Sequence, residues 1–247
     1  TFIDGWGTIV DSFGVRLPHL AMEVVAEATV ETSTPDEVTA LVAVDRLDDP
    51  TFVDDHFEYL AETPSTQPTP AIEAAAAGLR ANAHHVLGLT TALQDEVRER
   101  LTYRPGVTTV STTAGDAFEG GEGVCQDYAH LMVSLARSAG LPARYVSGYF
   151  FTQSDATGLD TVDDLVTVQT HAWVEVAIPG ERWLAMDPTN GIVPSERHVK
   201  IGHGSDYDAV MPFRGTFIGP ESSDVTASVQ IRRRSADIAE DGPDFTT

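Results

Sequence analysis

The stretch from Gly121 to Gly140 limits what this chain can fold into more than any other. It carries the single cysteine, Cys125, between a run of glycines and a helical pattern. Tyr128, Met132, Leu135 and Ala139 recur at steps of four, three and four, the apolar stripe of a helix that faces a core. Gly140 stands where a helix ends in a residue that tolerates positive φ, and Pro142 follows. The pattern predicts a core helix with Cys125 at or near its first turn. There the unpaired N–H groups and the positive end of the helix dipole stabilise a thiolate, as a nucleophilic cysteine requires. Free cysteine is also among the residues most often buried for packing alone, so the partners decide.

A second local pattern supplies partners. Residues 166–178 read as a strand, strongest at Trp173, Val174 and Val176. Pro179-Gly180-Glu181 reads as a turn, and Arg182 to Met186 as the return strand, ended by Asp187-Pro188-Thr189-Asn190-Gly191. A three-residue loop at 179–181 sets Trp173 opposite Asp187 and His171 opposite Thr189. His171 and Asp187 then share a face as diagonal neighbours, about 7–8 Å apart at the backbone. A slip of one residue sends them to opposite faces, and two residues tighter makes them direct partners. In a favourable register the chain holds a Cys–His–Asp set: His171 takes the thiol proton, and Asp187 orients the ring and stabilises imidazolium. Trp173 would shield that pair from water. Taken singly, His171 reads equally as a half-exposed strand histidine and Asp187 as a turn residue before proline.

Composition narrows the function class. At 247 residues and 42% hydrophobic content, the length fits one large domain, or one domain plus a fragment of another. A net charge of −23, with Arg232–Arg234 as the only basic run, argues against nucleic-acid binding. No apolar stretch reaches membrane-spanning length, and Asp4 and Asp11 interrupt any leader-like run, so neither a membrane span nor a signal peptide is expected. One cysteine forms no internal disulfide and leaves the redox compartment open; a lone thiol fits a reducing cytosol better, and the cytoplasm is the expectation. Lys200 is the sole lysine. Such an acidic, lysine-poor surface suits a high-salt cytoplasm, and a GC-rich genome produces the same bias.

The first 33 residues read as strands, at Ile9-Val10 and Met22 to Val30, too few to close a sheet alone. Asp48-Asp49-Pro50 reads as a helix start. Thr69-Pro70 opens an alanine-rich helix to about Leu87, and a further helix runs from about Ala92 to Leu101 with Thr91 and Gln94 spaced as a capping box. Residues 108–113 read as a polar linker, 114–118 as a short helix and 143–151 as a strand. His84-His85 is no metal pair, because adjacent residues face different sides of a helix. The loop bearing Asp160, Asp163 and Asp164 lacks the spacing of a calcium loop. Neither a metal nor a cofactor site is expected.

Gly123-Val124-Cys125-Gln126-Asp127-Tyr128-Ala129-His130, Gly140 to Tyr149, His171-Ala172-Trp173-Val174-Glu175 and Asp187-Pro188-Thr189-Asn190 resemble the bacterial and archaeal transglutaminase-like proteins. Gly204-Ser205-Asp206-Tyr207-Asp208 and Phe213-Arg214-Gly215 resemble that family's C-terminal segment, although an arginine is usual where Ser205 stands. The likeness covers roughly residues 35–231. It implies an α+β, papain-like transglutaminase core over 34–247, in which a Cys-bearing helix packs on an antiparallel sheet. Residues 1–33 look like the end of a β-rich N-terminal domain that often precedes this core. The resemblance also implies a thiol enzyme with Cys125, His171 and Asp187 as catalytic triad. It would transfer an acyl group from an amide of a peptide or protein through a thioester, as peptidase, amidase or transglutaminase. The backbone N–H of Cys125 and a second donor would hold the oxyanion, with Gln126, Tyr128 and Trp173 as substrate or oxyanion candidates. The alternative is a binding or scaffold module that keeps the fold without catalysis.

Overall fold

A computed structural model describes residues 1–35, 41–151, 165–219 and 226–232, and it lays down the helices before the main sheet. The loop at Asp160, Asp163 and Asp164, and Arg233 and Arg234 of the basic run, lie outside the described residues. The chain opens in a hairpin of β1 (Phe2–Ile3) and β2 (Ile9–Val10). Asp4 closes it by accepting from the amides of Trp6 (2.9 Å) and Thr8 (2.8 Å). The strand expected at Met22 to Val30 does not form. Its apolar side chains are exposed and among the described residues no strand pairs with it, so β-propensity alone does not hold it.

Helix α1 (Pro50–Asp55) starts where Asp48-Asp49-Pro50 predicted, with Asp49 capping the amide of Thr51. Helix α2 (Pro70–Asn82) is capped by Thr69 as expected, but it stops at Asn82. The backbone then turns extended through His85, which bridges to Ala43, and the Val86 amide donates to Val42 O (2.7 Å). The His85 ring accepts from the Gly88 amide (2.9 Å) and so caps α3 (Val86–Arg100). Thr91 and Gln94 therefore sit inside α3 rather than at a helix start: the Thr91 hydroxyl bonds back to Leu87 O and Gln94 is buried. A long-range backbone pairing sets this break, and no local breaker residue announces it.

Strand β3 (Thr102–Tyr103) follows at once, then α4 (Ala114–Gly120) with a Thr113–Asp116 capping box, then β4 (Glu122–Gly123), which pairs in parallel with β3. Helix α5 (Cys125–Ser138) comes next, and Gly140 adopts positive φ (73°) beyond its end as the pattern predicted. The remaining strands are β5 (Ala143–Phe150), β6 (Leu165–Val168), β7 (Thr170–Ala177), β8 (Trp183–Met186), β9 (His198–Gly204) and β10 (Val229–Arg232). The strand expected over 166–178 is thus split at Gln169 into β6 and β7. β6 pairs with β10, while β8, β7, β5 and β9 form an antiparallel sheet in that order.

Helix α5 is the centre of the core. Every residue from Asp127 to Arg137 is buried, because α2, α3 and α4 pack around it and β5 and β7 pack against it. Leu131, Met132 and Leu135 share one apolar cluster with Ile72, Leu89, Leu93 and Val97 from the helices and Ala172, Val174 and Val176 from β7. The result is the expected mixed α+β architecture, with the cysteine at the sheet-facing helix's N-terminal end.

Candidate active site

Cys125 is the first helical residue of α5 and the only cysteine, half-buried and unbridged. The turn below it is fastened by Asp127, whose Oδ2 accepts from the Val124 amide (2.7 Å) and the Thr108 hydroxyl (2.7 Å). Burial pushes the Asp127 carboxyl up, and those two donors pull it partly back.

The β7–β8 hairpin leaves residues 178–182 between its strands and keeps the register that the sequence allowed, with Ala177 opposite Trp183 and Val174 opposite Met186. That register keeps His171 and Asp187 on one face, and the His171 Nε2 donates to Asp187 Oδ2 at 2.8 Å. His171 also shares a side-chain hydrogen bond with Cys125. Burial by itself pulls the His171 imidazolium down in pKa. Hydrogen bonds with Asp187 and Cys125, and the negative charge of both, outweigh it and raise the ring to about 9.

Asp187 is fully buried. Its Oδ1 accepts from the amides of Thr189 (3.0 Å) and Asn190 (3.1 Å). Its Oδ2 takes His171 together with Asn190 Nδ2 (2.6 Å) and His198 Nε2 (3.2 Å). Burial would push this carboxyl up, but these donors and the charge of His171 hold it well below the usual carboxylate range. The Asp-Pro-Thr-Asn sequence therefore makes the turn that wraps its own carboxylate in N–H groups.

His198 is a member of this cluster that the sequence reading missed. Its Nδ1 accepts from the Ser195 amide (3.1 Å), so the ring proton sits on Nε2 and points to Asp187. The ring packs on Phe150 (4.5 Å) and edge-on to Trp173 (5.3 Å). Only the β5–β9 pairing, which sets Phe150 against His198, brings it there, and no local spacing signals that. His171, Asp187 and His198 place their donor atoms within 4.8 Å of one another, which is the composition of a metal site. The hydrogen-bond pattern does not fit a cation. A metal at the His198 Nε2 would require the ring proton on Nδ1, where the Ser195 N–H already points. Of the two histidines at 84–85, His85 serves as the cap of α3.

The three substrate or oxyanion candidates separate clearly. Tyr128 is buried and gives its one hydroxyl proton to Leu101 O (2.7 Å), which leaves none for a ligand. Trp173 is buried with its ring 6.2 Å from that of His171. Gly148, across the sheet from His171, makes room for it: a Cβ there would stand 2.6 Å from the indole and 2.2 Å from Val199 O. Gln126 donates to Val110 O (3.1 Å) at the half-buried edge of the site. Two tyrosines, Tyr103 outside the sequence motifs and Tyr145 within the segment from Gly140 to Tyr149, also feel Cys125. Burial and the charge of the thiolate both raise their phenols.

A thiol on the first turn of a core helix, coupled to an imidazole and a carboxylate on an antiparallel sheet, is a papain-like arrangement. Residues 73–188 match the family model described as the transglutaminase-like superfamily. An uncharacterised protein of Mycobacterium leprae is 33% identical over 232 residues, 94% of this chain and 81% of that one. A protein-glutamine gamma-glutamyltransferase of Pseudomonas aeruginosa is 35% identical over 95 residues, 38% of this chain and 14% of that one. Among solved structures, a candidate cysteine protease from Cytophaga hutchinsonii superposes with a TM-score of 0.53 at 28% identity. That match covers 64% of this chain and 49% of the other, so the chain accounts for about half the length of that structure. The chain belongs to the transglutaminase-like superfamily.

Proposed function

We propose that this chain is a cysteine-dependent acyl-transfer enzyme that acts on amide groups of peptides or proteins, with Cys125 as nucleophile, His171 as acid and base, and Asp187 as the orienting anion. The observation that carries this reading is the buried Asp187 carboxylate held 2.8 Å from a His171 ring that is itself hydrogen-bonded to Cys125. In the reaction the thiolate attacks the amide carbonyl. The C–N bond breaks as the imidazolium gives its proton to the leaving nitrogen, and a thioester remains. Water then gives a proton to His171, attacks the thioester and releases the acid, which restores the thiol.

Hydrolysis is favoured over amine transfer. Lysine amines are the usual acceptors in cross-linking, and they are scarce if the whole proteome is as lysine-poor as this chain, in which Lys200 is the sole lysine. Amine transfer is the second reading, because the Pseudomonas aeruginosa relative bears the name of a glutamyltransferase. Incubation with glutaminyl and peptide substrates, with and without a primary amine, separates the two. Ammonia release or cleavage without amine incorporation is expected, and product formed only with amine present would overturn the choice. If Cys125→Ala rescues every phenotype of a deletion strain, the chain is a scaffold instead. The compartment proposed is the cytoplasm, to be checked by fractionation. Among the described residues no helix is long and apolar enough to cross a membrane.

A further inference from the structure

A tetrahedral intermediate at Cys125 needs two donors for its oxyanion. The Cys125 amide, at the first helical position, is one, since the opening N–H groups of a helix have no intrahelical acceptor. The second must stand beside Cys125, carry a polar hydrogen, have that hydrogen unspent and border open space where a substrate can lie. Tyr128 fails on the third condition, because its proton goes to Leu101 O. Trp173 is buried among His171 and His198, in the sheet. Tyr145 is buried against His130, with ring centroids 5.0 Å apart.

Tyr103 meets all four conditions. The parallel β3–β4 pair sets it directly against Gly123, two residues before Cys125, and the Arg104 amide locks that register by donating to Gly123 O (2.9 Å). Its ring rests on that of Tyr128 in the first turn of α5, with centroids 6.3 Å apart. It is 51% exposed, so it borders open space rather than the core. Among the described residues its hydroxyl takes no hydrogen-bond partner.

We propose that Tyr103 is a catalytic residue, the second oxyanion donor of this site, whose phenol O–H hydrogen-bonds the carbonyl oxygen of the substrate as negative charge develops on it. The phenol donates a hydrogen bond and keeps its proton throughout. The direction of its pKa, raised first by burial and then by the Cys125 charge, keeps that proton in place beside a thiolate. This assignment deepens the acyl-transfer reading and rests on it.

The test compares two reactions of the same thiol in the intact chain. With p-nitrophenyl acetate the Cys125 thiolate attacks a carbonyl, an oxyanion forms, p-nitrophenolate leaves and an acetyl thioester remains. With iodoacetamide the thiolate displaces iodide at a saturated carbon and no oxyanion forms. Tyr103→Phe is expected to slow the p-nitrophenolate burst on the order of 10²-fold while iodoacetamide labelling stays within about twofold of the parent. Equal bursts in the two proteins would overturn the assignment. So would a parallel fall in both reactions, which would mean that Tyr103 acts on the thiol or on the packing. If the parent protein is labelled by iodoacetamide but never acylated by the ester, the acyl-transfer reading itself fails and takes this assignment with it.

Discussion

Asp187 is buried and ionised because five donor groups surround it, from His171, His198, Thr189 and both nitrogens of Asn190. Asp187→Asn keeps the volume but removes the charge that holds His171 protonated. Turnover is expected to fall on the order of 10²- to 10⁴-fold, read as kcat/KM on a cleaved glutaminyl or peptide substrate. The same contact links stability to pH. His171 binds its proton more tightly in the folded chain, at about 9, than at its ordinary 6.5. Its contribution is therefore complete below pH 6.5 and is lost as pH rises through about 9. At full strength it is about 3 kcal/mol, one interaction shared by both partners and not counted again for Asp187. Urea unfolding of the parent and of His171→Phe should show a stability gap that narrows between pH 6 and pH 9.5 (about those two points spanning the transition). A gap independent of pH would refute the linkage.

At the scale of elements, the β7–β8 hairpin was legible because its register depends on a short turn and on alternation, both local. The break between α2 and α3 was not, because it depends on the pairing of His85 with Ala43, which lies 42 residues earlier (85 − 43) and beyond the reach of any capping signal. Helix α5 was legible as a helix, but its burial on all sides was not. Its polar residues Asp127, His130, Ser134 and Arg137 form a stripe at steps of three and four, which in isolation would read as a wet face. The apolar stripe carries the packing. Leu135→Ala, at a side chain with no exposed surface, is expected to cost about 2–5 kcal/mol, measured by chemical denaturation. A loss below about 1 kcal/mol would mean that the cluster around α5 collapses to fill the space.

Across the whole molecule the polar stripe of α5 is what ties distant loops to the core. Arg137 is buried and donates to Tyr59 O, Ala61 O, Ala143 O and Ser205 O and to the Thr66 hydroxyl. Burial pulls its guanidinium down to about 10, against the attraction of Asp206. His130 accepts from the Tyr207 amide (3.2 Å) on the same side, and burial lowers it to about 4, so it is a neutral acceptor there. Arg137→Met would leave four backbone carbonyls without their donor. The expected loss is about 3–5 kcal/mol, seen as a lower denaturation midpoint. Cys125 labelling should keep its pH profile in whatever fraction stays folded, because Arg137 touches none of the three site residues.

The sequence by itself determined the helix that carries Cys125 and the hairpin that carries His171 and Asp187, and it allowed the register that puts that pair on one face. Each depends on residues close together in the chain, where periodicity, turn chemistry and a cap suffice. The tertiary structure alone decided that His198 joins Asp187 through the β5–β9 pairing, that Tyr128 is spent on Leu101 while Tyr103 stands beside Gly123, and that the strand expected at Met22 to Val30 finds no partner among the described residues. Those outcomes depend on which distant segments meet. A hydrogen bond or a strand pair exists only when both halves arrive, and no local pattern records the second half.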